Sequence, residues 1–281
     1  MRPIVAVIAP GNMGAAVGER LTARGARVVT VLNGRSAATV SRAKAAGLVQ
    51  VDESALTEVD FVLSIVPPGA AVALAERLSG AFARTGRKPT YVDCNAVSPE
   101  TVTAIAALVA RANMPFVDAG IIGGPPKPNT SGPRFYAAGP AKGAFAELRA
   151  FGLDIVALDG PVGTASALKM SYAGITKGMT ALGAAMLLAA TRAGVAAALH
   201  AELKFSQGAL LERFTKNLPD MYGKAYRWVA EMEEIARFAA EDPGAAEIYH
   251  GAARLYERLA ADAAGDRREI GELESFLGGG R

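Results

Sequence analysis

Ile4-Val5-Ala6-Val7-Ile8-Ala9-Pro10-Gly11-Asn12-Met13-Gly14 is the stretch on which the fold turns. Ile4 to Ile8 are apolar and mostly β-branched, the signature of a buried strand, and a helical pattern runs from Met13 to Arg24 beyond the turn. Between them lies a G-x-G-x-x-G fingerprint with Ala9 in the place of the first glycine. Gly11 lets the backbone approach a pyrophosphate, and Gly14 lets the helix pack closely on the strand. Ala9, Asn12 and Met13 complete the turn, read as cofactor-binding throughout, and the helix start beyond it has free N–H groups and a partial positive charge that suit an anion. A ligand-free glycine turn is the competing reading. The position of the motif, between a strand and a helix at the head of a repeated pattern, favours a dinucleotide.

Outward from that turn, strand-like runs alternate with Ala-rich helical ones. The runs are Ile4–Ile8, Arg27–Leu32, Phe61–Val66, Thr90–Asp93, Pro115–Asp118, Phe135–Ala138 and Ile155–Leu158. Met13–Arg24, Ser36–Ala46, Ala70–Ala83 and Glu100–Arg111 are the helical stretches, the last marked by Ser98 as N-cap and Pro99 at its first position. Such alternation predicts βαβ units and a mainly parallel sheet covered on both faces. The pattern changes near Gly160-Pro161-Val162-Gly163. Residues 1–160 are read as one domain and 161–281 as a second, all-helical one. The second opens with a long helix over Thr164–Ala193 that Gly194 stops. Pro219 and Asp242-Pro243-Gly244 are expected to divide the remainder, and Gly278-Gly279-Gly280 to form a frayed tail.

The second strand ends about twenty residues beyond the glycines, where an acid usually receives ribose hydroxyls. Asn33-Gly34-Arg35-Ser36 stands there instead. A guanidinium, two polar side chains and a helix start suit a 2′-phosphate, so NADP(H) is the expected cofactor. At other strand ends, Val66-Pro67-Pro68 is placed to pass under the cofactor, and Asn95 near the nicotinamide. Asp118 to Lys127 reads as a rigid Gly/Pro loop whose N–H groups, at Gly123 and Gly124, could hold a substrate anion. Lys127 is equally a solvated loop lysine or a ligand.

Lys169 lies about one and a half turns into the long helix, and Tyr172, Ala173 and Thr176 share its face. Oxidising an alcohol requires removal of the hydroxyl proton as hydride leaves, and a lysine in a closed cleft can accept it. On pattern alone, a surface lysine is the commoner explanation.

Composition narrows the function classes. Half of the 281 residues are apolar and the net charge is +3, with no Lys/Arg run or RNA-binding aromatic motif, so no nucleic-acid partner is expected. The single cysteine, Cys94, excludes an intrachain disulfide and fits a reducing, cytoplasmic setting. No leader is expected from a start that runs straight into a strand. The longest apolar stretch, Gly178 to Thr191, is short for a bilayer, so no membrane partner is expected. His200 and His250 stand apart, and no metal is expected.

The chain resembles the β-hydroxyacid dehydrogenases, which include 3-hydroxyisobutyrate and 6-phosphogluconate dehydrogenases. The resemblance covers nearly the whole length: Gly11-Asn12-Met13-Gly14, Asp93-Cys94-Asn95 to Ser98-Pro99, Phe116-Val117-Asp118, Gly123-Gly124, and Gly163 leading to Lys169. It is nearest to a poorly characterised branch with Leu168-Lys169-Met170-Ser171-Tyr172-Ala173-Gly174 and Arg227-Trp228 to Glu231-Met232-Glu233-Glu234. It implies an α/β fold: an N-terminal Rossmann-like dinucleotide-binding domain, then an all-helical C-terminal domain beginning with an interdomain helix. It also implies a catalytic lysine at Lys169, a substrate- or cofactor-contacting Asn95, a substrate loop at Gly123-Gly124, and an intertwined homodimer.

Three departures bear on substrate. Ala173 replaces the family's usual asparagine, Tyr172 and Thr176 replace a histidine and an acidic proton donor of the 6-phosphogluconate enzymes, and Ile122 replaces a serine. Decarboxylation of 6-phosphogluconate is therefore not expected. Tyr172 either orients a substrate oxygen or packs in a buried helix, and Thr176 joins the candidate substrate contacts. The leading expectation is hydride transfer between NADP(H) and a small, anionic hydroxy acid or related alcohol or carbonyl compound. Imine reduction is one alternative, against which the lysine argues; a non-catalytic NADP(H) sensor is another.

Overall fold

A computed structural model of the protein describes residues 2–279, and the chain falls into two compact units that meet between Met170 and Ser171. The boundary expected at Gly160 lies inside the first unit, because the turns after it are hydrogen-bonded to Asp118 of the sheet.

The first unit is built on β1 (Ile4–Ile8), β2 (Arg27–Thr30), β3 (Val49–Gln50), β4 (Phe61–Ser64), β5 (Thr90–Asp93), β6 (Phe116–Ile122), β7 (Arg134–Ala138) and β8 (Asp154–Ala157). They form one sheet in the order β3-β2-β1-β4-β5-β6-β7-β8. All pairs are parallel except β6–β7. The order reverses direction at β1 and β4, so the loops beyond their C-terminal ends diverge and leave a crevice there.

Strand apolarity splits by alternate residues into two cores. Val5, Val7, Phe61, Leu63 and Val92 point to one face, where α1 (Asn12–Ala23), α2 (Ala37–Ala45) and α5 (Lys142–Ala146) lie. Ala6, Ile8, Val62, Tyr91 and Phe116 point to the other, under α3 (Pro68–Phe82) and α4 (Pro99–Arg111). Each large side chain so buried contributes about 1.5–3 kcal/mol, which is why central strands read as continuous apolar runs.

β3 went unread because a two-residue edge strand has no periodicity to detect. β6 runs four residues beyond its expected end at Asp118. It pairs with antiparallel β7 from Asp118↔Ala138 to Ile122↔Arg134, so Ala119 to Ile122, expected in a loop, are strand.

α6 (Thr164–Arg192) carries the division between the units, and Gly194, with φ +74°, follows its end as expected. Its 29 residues make it long and apolar enough to cross a membrane by length and composition alone, a longer span than the 178–191 stretch considered from sequence. Half of its most apolar window is buried in the protein.

The second unit continues with α7 (Ala196–Ser206), α8 (Gly208–Tyr222), α9 (Ala225–Phe238), α10 (Pro243–Ala264) and α11 (Arg268–Leu277). Close approach explains the small residues of α6. A methyl on Gly174 would sit 2.8 Å from the Tyr249 hydroxyl, and one on Gly183 would sit 2.4 Å from the Phe214 ring.

Pro219 does not divide the chain; it lies inside α8. Burial of Leu211, Phe214, Leu218, Met221 and Tyr222 along one face of α8 outweighs the roughly 3 kcal/mol that an interior proline costs. Asp242 does mark a break, and it caps α10 by accepting the Gly244 and Ala245 N–H groups at 2.9 and 3.2 Å. Gly278 and Gly279 follow α11; Gly280 lies outside the described residues.

Candidate active site

The glycine turn joins β1 to α1 as its spacing demands. A methyl on Gly14 would come within 2.4 Å of the Ala9 carbonyl oxygen, whereas one on Gly11 meets nothing within 4 Å. Gly14 is therefore a packing residue, and Gly11, the N-cap of α1, faces open space. No side chain caps α1, so the N–H groups of Asn12, Met13 and Gly14 at its first turn have no intrahelical partner. An open cradle beneath uncapped donors is what a pyrophosphate requires.

Beside it, at the ends of β1 and β2, a cavity of about 170 Å³ is floored by Val31 and Leu56 and rimmed by Asn33, Arg35, Glu53 and Arg77. Asn33 and Arg35 stand where the sequence placed them. Ser36 is the N-cap of α2, accepting the Thr39 N–H at 3.3 Å. Glu53 and Arg77 were not foreseen. They come from a 3-10 turn after β3 and from mid-α3, and no local pattern points either at a ligand. The cradle and the cavity together fit a nicotinamide dinucleotide.

At the end of β5, Asn95 is only 4% exposed. Its Oδ1 accepts the Val66 N–H at 2.7 Å, and its Nδ2 donates to Ser64 Oγ and to Asp93 Oδ2, both at 2.8 Å. Asp93 Oδ1 also accepts the Asn95 N–H at 3.1 Å. Both amide hydrogens and one lone pair of Oδ1 are thus engaged within the protein, which gives Asn95 a positioning role and leaves it one acceptor lone pair for a ligand. It fixes the Val66-Pro67-Pro68 segment, where Pro67 caps α3 and Pro68 begins it. The two prolines lack N–H groups and present an apolar edge.

Burial pushes the Asp93 carboxyl up to about 7, and neighbouring Asp118 adds to the rise, against the hydrogen bonds from Asn95 that lower it. A carboxyl raised by folding binds a proton more tightly in the folded state. Its stabilising contribution is complete below about pH 4 and is lost as pH rises through about 7. Urea midpoints measured from pH 4.5 to 8 are expected to fall over that window, with about one extra proton held by the folded state. Asp93→Asn should flatten that part of the slope; an unchanged slope would refute it.

Asp118, in β6 beside Asp93, anchors the lysine helix. Its Oδ2 accepts the Gly163, Ala165 and Ser166 N–H groups at 2.8, 3.0 and 3.2 Å, and its Oδ1 accepts the Ser166 hydroxyl at 2.8 Å. The carboxylate thus caps the start of α6 from inside the sheet. Lys169 follows on the second turn, half-buried. Helix and strand touch because residue 120 is glycine: a methyl there would lie 2.9 Å from Ala165 O and 3.1 Å from Lys169 Cβ.

The same strand leads to Gly123 and Gly124. Gly123 has φ +125° and lies against Pro133. The loop beyond it is wrapped on Arg20 of α1, which donates to the Lys127 and Ser131 carbonyls at 2.7 and 2.9 Å. Lys127 itself is exposed. Arg20 was missed because an arginine on the polar side of a helix carries no local signal of a loop more than a hundred residues away.

Comparison with known proteins fits this geometry. Residues 4–153 match the NAD binding domain of 6-phosphogluconate dehydrogenase, and residues 190–259 match a domain of unknown function, DUF1932. A conserved protein of unknown function, MTH1747, described as structurally similar to 3-hydroxyacid dehydrogenases, is 32% identical over 93% of this chain and 98% of its own, with a TM-score of 0.67. The chain belongs to the β-hydroxyacid dehydrogenase superfamily.

A 3-hydroxyisobutyrate dehydrogenase from Mycobacterium tuberculosis, solved with L-serine, shares the fold at 20% identity, covering 94% of this chain and 96% of that one, with a TM-score of 0.69. An imine reductase variant from Myxococcus stipitatus does so at 20% identity over 99% of this chain and all of its own, with a TM-score of 0.58. No curated protein matches the sequence.

In this member of the β-hydroxyacid dehydrogenase superfamily the remaining candidates lie on α6 beyond Met170. Tyr172 is 48% exposed, which removes the reading of a tyrosine packed in a buried helix. The Thr176 hydroxyl donates back to the Tyr172 carbonyl at 2.9 Å, so its proton is engaged within the helix. Ala173 is buried. Trp228 packs edge-on to Tyr256, with ring centroids 5.2 Å apart, and lies under Lys177 Nζ at 4.9 Å. Lys177 also pairs with Glu231, so the Trp228–Glu231 motif ties α9 to α6 and α10. Lys224 pairs with Asp220, and Arg227 lies over Tyr226 at 5.6 Å.

Proposed function

We propose that this chain is an NADP(H)-dependent dehydrogenase or reductase acting between a small, anionic hydroxy acid, or a related alcohol, and its carbonyl counterpart. The observation that carries the reading is the seat of Lys169: a helix capped by buried Asp118, packed on Gly120, in the strand that leads to Gly123-Gly124. The bound nicotinamide would supply the hydride acceptor or donor. Lys169 would take the hydroxyl proton as hydride leaves the carbon, and return it to the oxygen in the reverse direction. Gly123 and Gly124 would offer N–H groups, and Lys127 a cation, to the substrate's anionic end. Val66-Pro67-Pro68, held by Asn95, would pass under the cofactor, and Tyr172 is assigned to the substrate oxygen. Arg35 and Asn33 support preference for a 2′-phosphate. Buried, unpaired Cys94 suits a reducing cytoplasm.

Fluorescence titration with NADPH and NADH, followed by turnover against hydroxy acids, aldehydes and imines, tests the reading. NADPH is expected to bind the tighter, and to reduce a carbonyl. Binding of neither nucleotide would overturn it, and turnover confined to imines would move it to C=N reduction.

We also propose a homodimer. Exposed Ile175, Leu182 and Met186 follow one stripe along α6 at coiled-coil spacing, and α7 buries none of its residues within the chain. A second copy, presenting the same stripe, is the occupant that self-complementarity favours. Sedimentation should give twice the chain mass at micromolar concentration; a concentration-independent monomer would exclude the dimer.

A further inference from the structure

The cavity at the ends of β1 and β2 contains a charge arrangement that the sequence does not announce. An acid is expected to be missing from this site, since Asn33 to Ser36 follow the second strand without one. The fold supplies one from elsewhere: Glu53 reaches the rim from the 3-10 turn after β3. It does not stand alone. Arg77, from α3 and twenty-four positions away, is ion-paired with it, and the two side chains are 35% and 49% exposed. Arg35 lines the same cavity.

The rim therefore holds two cations and one anion, with one cation masked by the anion. A 2′-phosphate, carrying nearly two negative charges, would approach Arg35 and compete with Glu53 for Arg77. A ribose diol, which is neutral and donates hydrogen bonds, would instead approach the Glu53 carboxylate as an acceptor. The two nucleotides thus ask opposite things of one ion pair. At about half exposure the pair has little stability of its own to defend, so its partners can be exchanged for those of a ligand.

We propose that the Glu53–Arg77 ion pair sets the discrimination between 2′-phosphorylated and unphosphorylated dinucleotides. Arg77 is the second cation for the phosphate, and Glu53 is the group that opposes it. This rests on the dinucleotide reading above and adds to it the residues that decide which dinucleotide. Guanidinium geometry allows Arg77 to move its fork from a carboxylate to a phosphate without loss of hydrogen bonds. Arg35 and Arg77, which line one cavity, would both pair with the phosphate. Removal of Arg77 leaves Glu53 unmasked beside it, so the two substitutions shift the preference in opposite directions.

The test is calorimetric titration of wild type, Glu53→Gln and Arg77→Met with NADPH, NADH, 2′,5′-ADP and 5′-AMP, which reads binding without turnover. Glu53→Gln is expected to tighten NADPH and 2′,5′-ADP about tenfold and to weaken NADH, in line with the value of one charge–charge contact near the surface. Arg77→Met is expected to weaken NADPH and 2′,5′-ADP about a hundredfold while leaving NADH and 5′-AMP within about threefold. Thermal midpoints check that both half-exposed substitutions fold; if Arg77→Met does not, the sign of the Glu53→Gln shift decides. Wild type that binds NADPH, with both variants keeping its NADPH-to-NADH ratio within about twofold, overturns this inference and leaves the function standing. Wild type that binds neither dinucleotide overturns both.

Discussion

Lys169→Ala is expected to lower kcat by about 100- to 10,000-fold while leaving the NADPH dissociation constant within about threefold. The first figure is the usual contribution of a positioned acid or base to proton transfer. The second follows from location, since the cradle at Gly11 to Gly14 and the cavity rimmed by Asn33 and Arg35 draw on strands and helices that do not include Lys169. The effect should fall on kcat and on kcat/KM together, as for an interaction made in the transition state. A lysine with a purely structural part would instead lower the thermal midpoint and spare turnover. Single-turnover measurements at saturating cofactor separate the two, and a variant with normal turnover ends the assignment of Lys169.

Asp118→Ala is expected to produce the largest loss of stability of any single substitution near the site. The carboxylate receives three backbone N–H groups and one hydroxyl, all buried, and alanine leaves those donors without an acceptor. A hydrogen bond to a charged group is worth about 1.5–3 kcal/mol, and each stranded buried donor about 1–3 kcal/mol. The terms are not additive, and about 3–5 kcal/mol is the expected total. Thermal midpoint should fall by roughly 6–20 °C for a unit of this size. Burial raises the carboxyl of Asp118 above the ordinary carboxylate value, against the hydrogen bonds from Ser166, Gly163 and Ala165 that lower it. Asp118→Asn keeps the shape and part of the acceptor capacity, and should lose about half as much. Because the cap holds the start of α6, both variants should also lower kcat more than they weaken NADPH binding. A midpoint within 2 °C of wild type for Asp118→Ala would show that α6 needs no cap from the sheet.

Most of the architecture was legible because its signals are local. Ile4 to Ile8 and Gly11 to Gly14 announce a strand, a turn and a helix within eleven residues. Ser98-Pro99-Glu100 marks a helix start by capping chemistry alone, and Ser98 does accept the Thr101 N–H at 3.2 Å. Lys169 was placed on its helix by the same local logic. Where local signal and packing disagreed, packing won. Pro219 should break a helix and does not, because the apolar face of α8 is buried on both sides of it. Ala119 to Ile122 should loop and instead extend β6, because β7 supplies a partner that only the tertiary fold brings alongside.

The candidate site divides in the same way. Sequence by itself determined which residue types occupy the strand ends, since the chain must turn where the sheet stops and the side chains at those turns are then given. That much placed Gly11, Gly14, Asn33, Arg35 and the Gly123-Gly124 loop. Only the tertiary structure decided what those side chains do to one another. Asn95, read as a ligand contact, has its amide taken by Val66, Ser64 and Asp93. Asp118, read as the last residue of a strand and the start of a loop, caps a helix that begins forty-six residues later. Glu53 and Arg77 meet at a cavity to which neither belongs by sequence position. Hydrogen bonds and ion pairs act over a few ångströms, and proximity at that scale between distant parts of a chain is a property of the folded sheet, not of spacing along the sequence.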